Sequence, residues 1–230
     1  MKLVTFQNTS GESRIGWIHG DQVVDMQLAD ASLPTEMLSF IDNHEVYFSR
    51  IKSLGEVQAH YNLSEVKLLA PLPNPRSFRD YIGFEQHMLN ASKSFGHTIG
   101  QAWYEMPIFY FTNHQAIYGP EDEIKKPAKE TRMDLELEMA CIIGKKGKDI
   151  PASEAKKHIF GYTVYNDFTA RAIQKREMEI PLGPHKGKDF ANAIGPWIVT
   201  ADEMEQYMGE NDRFNIRMTS RINGVTVCEG

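Results

Sequence analysis

The sequence predicts a mainly β protein with some α structure, which is the α+β fold class. Segments rich in β-branched and aromatic residues follow one another between residues 106 and 222. Helical spacing of apolar residues is restricted to short stretches, and the clearest of them lies before residue 60. A chain of 230 residues is long enough for one large domain and a small second one.

The composition excludes several classes of protein. The 25 Lys and Arg residues against 31 Asp and Glu residues give a net charge of −6, and the basic residues form no cluster that would bind nucleic acid. The sequence shows neither a secretory leader nor a run of about 18 apolar residues, so we expect a cytoplasmic protein without membrane segments. Cys141 and Cys228 lie far apart, which argues against a disulfide framework and a thiolate zinc site.

The first 70 residues are predicted to form a small α/β domain. Strands are expected at 2–6 and 14–25, the second folding into a hairpin at Gly20-Asp21. Apolar spacing then predicts a helix after residue 34 and another over roughly 48–58. Prolines at positions 71, 73 and 75 make a stiff extended segment. We therefore predict a domain boundary there, with domains 1–70 and 71–230.

The second domain is predicted to be built mainly from strands. The predicted strands are 106–111, 134–144, 160–165, 196–200 and 214–222. Short helices are expected over 153–157 and 168–176, and Asn223-Gly224 is a strong hairpin turn. This order of elements predicts a sheet whose side chains alternate between two faces.

Acidic residues alternate along the strand at 134–144. Side chains two positions apart in a strand share a face, so Asp134, Glu136 and Glu138 lie on one side. A solvent-facing strand would explain the pattern. However, the strand continues into Ala-Cys-Ile-Ile, which predicts burial on both faces, and close like charges are costly there without a cation. A metal ion is the simplest compensation.

Two further acids extend this hypothesis. Asp167 follows the next strand, where it could also cap a helix, and Asp80 could equally belong to a turn. If these acids converge with those of the 134–144 strand, they make an all-oxygen site suited to Mg²⁺, Mn²⁺ or Ca²⁺ and poor for zinc.

A histidine and a lysine are candidates for the chemistry beside such a metal. His87 lies seven residues after Asp80, and a neutral imidazole near a metal is a usual general base; a surface or core histidine is the alternative. Lys188 lies in a Gly/Pro-rich loop at 181–190. It either belongs to a solvated basic loop or donates to a developing oxyanion or enolate.

Four motifs, in this order along the chain, resemble the fumarylacetoacetate hydrolase family. They are R-D-Y-I-G-F-E-Q-H (79–87), D-L-E-L-E-M-A (134–140), Y-N-D-F-T-A-R-A-I-Q (165–174) and P-L-G-P-H-K-G-K-D-F (181–190), followed by G-P-W-I-V (195–199). The resemblance implies a mixed β-sandwich roll as the catalytic domain, preceded by a small N-terminal domain, and a homodimer.

The resemblance also implies roles for nine side chains. A divalent cation would be bound by Asp80, Glu136, Glu138 and Asp167; water would be activated by His87; the leaving carbanion would be stabilised by Lys188; and substrate oxygens would be held by Tyr110, Arg171 and Gln174.

The implied reaction is metal-dependent hydrolysis of a C–C bond in a β-diketo acid such as fumarylacetoacetate, as in aromatic amino-acid breakdown. A decarboxylase or an enol–keto isomerase of a small diacid, of the oxaloacetate or homoprotocatechuate-pathway type, is an alternative on the same fold. An inactive metal-binding remnant is a second alternative. Asn90 stands where short family members place the acid that orients the histidine, and the family ordinarily continues through more strands, so we expect the C-terminal part of the roll to be missing.

Overall fold

The structure is a computed structural model, and it describes residues 1–95 and 98–230. The strands in the described residues are β1 (Lys2–Gln7), β2 (Ser13–His19), β3 (Gln22–Asp25), β4 (Tyr61–Asn62), β5 (Lys67–Leu68), β6 (Arg79–Tyr81), β7 (Phe109–Phe111), β8 (Ile117–Tyr118), β9 (Met133–Ile143), β10 (Ile159–Ala170), β11 (Asn192–Thr200), β12 (Thr219–Ile222) and β13 (Val225–Glu229). The α-helices are α1 (Met26–Ala29), α2 (Met37–Asp42), α3 (His44–Ser53), α4 (Glu85–Phe95), α5 (Ala102–Glu105), α6 (Arg171–Glu177), α7 (His185–Lys188) and α8 (Ala201–Met204).

One large sheet runs through most of the described chain. Its strand order is β4-β3-β2-β1-β11-β10-β9, with β5 paired to β1 and β8 paired to β11. The pairs β1–β11, β11–β10 and β10–β9 are all antiparallel. Strands from before and after residue 70 therefore share a sheet. The division into domains at residue 70 stays a prediction.

The main core lies under this sheet and also draws on both parts of the chain. Leu3 and Phe40 from the first part pack in one buried cluster with Phe160 and Ile198 from the second. Phe40 meets the ring of Phe160 edge-on, with a centroid separation of 6.3 Å. Tyr165 of β10 belongs to the same cluster, and it lies two residues before Asp167 on the same strand.

Two smaller units lie beside the large sheet. The strands β6 and β7 form a separate antiparallel pair, and β12 and β13 form a hairpin at Asn223-Gly224. The helices α6 and α7 follow β10, and α7 packs against that strand as well as against α6. The pair β6–β7 and the two helices supply the side chains that face the acids of the sheet.

The structure confirms the α+β fold class and most predicted elements, and it corrects several boundaries. The helix predicted over 168–176 begins only at Arg171, because β10 continues its ladder with β9 as far as Ala170. Part of the predicted basic loop is the short helix α7. The predicted strand 214–222 is regular only over Thr219–Ile222. The burial predicted for both faces of β9 is wrong at Cys141 and Ile143, which are exposed.

Candidate metal centre

The pairing of β9 with β10 brings three acids onto one face of the large sheet. Asp167 lies directly opposite Glu136, and Tyr165 lies opposite Glu138. Residues opposite each other in an antiparallel pair project to the same face, as do residues two apart in one strand. Glu136, Glu138 and Asp167 therefore meet on the face that the sequence alternation predicted. The expectation that Asp167 caps a helix is wrong, since it lies inside β10.

The strand pair β6–β7 brings the fourth acid over this face. Asp80 lies opposite Tyr110 in that pair, and the Tyr110 hydroxyl lies 2.6 Å from Asp80 Oδ2 and 2.9 Å from Asp167 Oδ2. The hydroxyl has a single proton, so it can donate to only one of these two carboxylates at a time. Tyr110 thus joins the small strand pair to the large sheet at the acids.

Asp80, Glu138 and Asp167 form a cluster that could hold a metal ion. Each offers one oxygen, and these oxygens all lie within 4.8 Å of one another. The side chain of Asp167 is completely buried, and its Oδ1 has no hydrogen-bond partner. A buried carboxylate oxygen without a partner is costly. A hard divalent cation would satisfy it, so the donor set fits Mg²⁺, Mn²⁺ or Ca²⁺.

The protonation of the cluster reflects the same crowding. Burial raises the pKa of Glu138 to about 9, and the neighbouring carboxylates of Asp80 and Asp167 add to the rise. Burial also raises the pKa of Asp167, although the adjacent Lys188 ammonium opposes the shift. Carboxylates that cannot all ionise without a nearby cation are typical of a cation-binding site.

Glu136 is held differently from the other three acids. Its Oε2 lies 2.7 Å from the Lys188 ammonium and its Oε1 lies 2.7 Å from the Arg171 guanidinium. Burial tends to raise the pKa of Glu136, but Lys188 and Arg171 hold it below its usual range. Glu136 is therefore an ionised partner of the two cations, and its role as a metal ligand stays a prediction.

Lys188 lies at the centre of the site. It is 3% exposed, and its ammonium donates hydrogen bonds to Glu136 and to Asp167 Oδ2. Burial tends to lower the pKa of Lys188, but Asp167 and Glu136 raise it above its ordinary value. A charged ammonium is thus kept beside the acid cluster, where it can donate to an anionic oxygen.

Arg171 and Gln174 lie on the first turns of α6. The Arg171 guanidinium also reaches Asp134 Oδ2 at 2.7 Å, and it donates to the side-chain oxygen of Gln174 at 3.2 Å. Arg171 and Lys188 thus place two positive charges beside the acids, and the neutral side chain of Gln174 lies next to Arg171. Their roles in holding substrate oxygens, like that of Tyr110, stay predictions.

His87 does not belong to the acid cluster that the described residues form. It is exposed and lies in the first turn of α4, six residues after the end of β6. The cluster found among the described residues consists of carboxylates alone. The predicted role of His87 as the base that activates water stays a prediction.

Two buried residues near the site were not predicted from the sequence. Asn192 is completely buried, and its Oδ1 accepts hydrogen bonds from Tyr165 and Thr112. Glu130 is 1% exposed, and its carboxylate accepts backbone N–H groups at the start of α6. Neither lies in an alternating or motif-like pattern, so no sequence signal marks them as more than loop and strand-end residues.

The chain is similar to several known proteins. Residues 76–230 match the family model of the fumarylacetoacetate hydrolase C-terminal domain. The mitochondrial oxaloacetate tautomerase fahd2 of Xenopus laevis is 32% identical over 97% of this chain and 67% of its own length. The crystal structure of maleylpyruvate hydrolase from Sphingobium sp. SYK-6, in complex with manganese (II) ion and pyruvate, is 25% identical, with a TM-score of 0.66 over 90% of this chain and 70% of that one.

The fumarylacetoacetate hydrolase from the psychrophile Exiguobacterium antarcticum shares the fold, with a TM-score of 0.68 over 100% of this chain and 75% of that one at 24% identity. The chain therefore belongs to the fumarylacetoacetate hydrolase family, as the four sequence motifs predicted. Among the helices in the described residues, none is long and apolar enough to cross a membrane.

Proposed function

We propose that the protein is a divalent-metal-dependent hydrolase that cleaves a C–C bond in a small β-diketo acid. The observation that carries this proposal is the buried Lys188 ammonium held beside three converging carboxylates, Asp80, Glu138 and Asp167. Such a site combines a cation position with a fixed hydrogen-bond donor, which is what an enolate leaving group requires. The proposed substrate is a diketo acid of the fumarylacetoacetate type.

In this proposal, the residues of the site have separate roles in the reaction. A divalent cation held by Asp80, Glu138 and Asp167, with Glu136 as the predicted fourth ligand, would polarise the carbonyl oxygens of the substrate. Lys188 donates a hydrogen bond to the oxygen of the departing enolate. Arg171 and Gln174, at the border of the acids, bind the substrate carboxylate.

The remaining step needs a base. His87 takes a proton from water as that water attacks the carbonyl carbon, so that the C–C bond breaks and the enolate is released for protonation. His87 lies exposed on α4, outside the acid cluster, so in this role it acts on a water molecule and not as a ligand of the metal. A homodimer is proposed from the family resemblance alone.

Keto–enol tautomerisation of oxaloacetate is the second candidate function. The exposed position of His87, outside the acid cluster, favours it, because tautomerisation needs no activated water. The similarity of nearly the whole chain to an oxaloacetate tautomerase supports it as well. Both reactions pass through an enolate stabilised at the same acids and Lys188, so the two candidates differ in the role of His87.

The test is a comparison of three substrates with and without Mg²⁺ or Mn²⁺. Fumarylacetoacetate and acetylpyruvate are followed by the loss of their ultraviolet absorbance, and oxaloacetate by the relaxation of its enol absorbance. Lys188→Met should lower turnover by about a hundredfold or more, whereas Lys186→Met, an exposed lysine on the same helix, should leave it unchanged.

The outcomes separate the hypotheses. Metal-dependent cleavage of a diketo acid that is lost in His87→Ala supports the hydrolase. Faster enol relaxation of oxaloacetate that persists in His87→Ala, without cleavage of either diketo acid, replaces it with the tautomerase. Loss of oxaloacetate as CO₂ would identify a decarboxylase. Metal binding without turnover of any of the three would favour the inactive remnant.

A further inference from the structure

The two positively charged side chains of the site lie on short helices. Arg171 is the first residue of α6, which has seven residues, and Lys188 is the last residue of α7, which has four. Helices of this length are not stable in isolation. The position of each cation therefore depends on what anchors its helix to the rest of the protein.

A buried carboxylate anchors α6. Glu130 Oε2 accepts the backbone N–H of Ala172 and of Ile173, each at 3.1 Å. Glu130 Oε1 accepts the backbone N–H groups of Thr131 and Arg132, from its own segment. Both oxygens are thus occupied by backbone donors, and a negative charge lies at the positive end of the helix.

A second carboxylate, at the far end of α6, anchors α7. Glu177 is the last residue of α6, and its two oxygens accept the backbone N–H groups of Lys186 and Gly187, each at 2.7 Å. The helices also meet closely, because a Cβ on Gly187 would come within 2.9 Å of the Cα of Gln174. Glu130 therefore anchors α6, and Glu177 of α6 anchors α7. Lys188 is the last residue of α7, so its position depends on both contacts.

We propose that Glu130 and Glu177 are positioning residues, which hold Lys188 against Asp167 and Glu136 by capping α6 and α7 in series. This proposal goes beyond the proposed function. Only its test by turnover rests on the proposed function. Among the described residues, the hydrogen bonds of the Glu130 carboxylate join it to its own segment and to α6, not to α7. In this proposal, the effect of Glu130 on Lys188 passes through α6, Glu177 and α7.

The first experiment observes the Lys188 ammonium directly in the metal-free protein. Its Nζ–Hζ cross-peak in a ¹⁵N NMR spectrum is assigned as the one missing from Lys188→Met, since a buried, hydrogen-bonded ammonium exchanges slowly with water. We expect Glu177→Gln and Glu130→Gln each to shift or remove this peak. Glu179→Gln, in the exposed turn after α6, is the matched control and should leave it in place.

Folding is checked by the backbone amide spectrum of each variant, and Glu177→Asp, which keeps the charge on a shorter side chain, is the fallback if Glu177→Gln does not fold. An unchanged Lys188 peak in folded Glu177 variants would overturn the proposal. A change in Glu177→Gln without one in Glu130→Gln would remove Glu130 from the series.

The second experiment measures turnover of whichever substrate the wild type accepts. A displaced Lys188 should lower kcat by about tenfold while KM changes by less than about twofold, because the ammonium acts on the developing enolate rather than on bound substrate. A purely destabilising substitution would lower the amount of active protein without moving the Lys188 peak. If the wild type turns over none of the substrates, the proposed function fails, and the NMR comparison still decides the positioning roles.

Discussion

At the scale of single residues, Glu138 is the acid most opposed to ionisation. Burial and two neighbouring carboxylates raise its pKa to about 9 from an ordinary value of 4.5. A cation entering the cluster must displace this proton. We therefore expect Mg²⁺ affinity, measured by titration calorimetry, to rise by up to about tenfold per pH unit between about pH 6 and pH 8.5.

The matched variant is Glu138→Gln, which keeps the shape of the side chain and cannot ionise. Its Mg²⁺ affinity should be lower and its pH dependence weaker. The free energy of unfolding of the metal-free protein should change in the opposite sense. Because the pKa of Glu138 is higher in the folded than in the unfolded state, its contribution to stability is fully present below pH 4.5 and is lost as the pH rises through about 9. The melting temperature of the wild type should thus fall across that window more steeply than that of Glu138→Gln. Equal slopes would exclude Glu138 as the titrating group.

The residues of the site differ in how far the sequence predicts them. Glu136 and Glu138 follow from strand alternation, which is a local property, and their convergence with Asp167 follows once β9 and β10 pair. The different roles of the acids do not follow from the sequence. Glu136 pairs with Lys188 and with Arg171, and the second pair depends on where α6 places Arg171. The sequence does not predict Glu130, because its partners on α6 are backbone groups 42 and 43 residues away, which no residue pattern records.

At the scale of elements, β10 is the strand on which the site depends. It pairs on one side with β9, which carries Glu138, and on the other with β11. Gly161 permits the close approach to β11, because a Cβ at this position would lie 2.4 Å from the backbone oxygen of Val199. Backbone cannot yield as the tip of a flexible side chain would, so the two strands would have to separate.

We expect Gly161→Ala to lower the free energy of unfolding by about 1–3 kcal/mol, the usual cost of forced overpacking. Urea denaturation measures this change. Gly100→Ala is the control, since a Cβ there would meet no atom of the described residues within 4 Å, and it should leave the midpoint unchanged. A Gly161→Ala midpoint equal to that of the wild type would show that β10 and β11 separate at little cost.

Element types were more predictable than element ends. Alternating or β-branched runs predict β9, β10 and β11. These segments prefer the extended conformation locally, and they adopt it in the sheet. The segment 168–170 was assigned to a helix, yet it completes the ladder from Phe168 to Ala170 with Leu135 to Met133. Tertiary pairing overrides local propensity at such ends.

At the scale of the whole molecule, the first 70 residues and the remainder are joined by both sheet and core. β1 pairs with β11 at Leu3 and Ile198, and residues of both parts lie in one buried cluster. The sequence predicts the proline-rich segment at 71–75. It does not predict that a strand after this segment pairs with a strand before it, because long-range pairing leaves no local pattern.

These shared contacts predict one cooperative unfolding transition. Calorimetry and circular dichroism should give the same midpoint, with the calorimetric and van't Hoff enthalpies equal. Phe40→Ala in the first part, which empties a position between Phe48 and Phe160, should lower the free energy of unfolding by about 3–5 kcal/mol and move the whole transition. If only part of the transition moves and a second one remains at the wild-type temperature, the chain consists of two domains that unfold separately, as the predicted boundary at residue 70 implies.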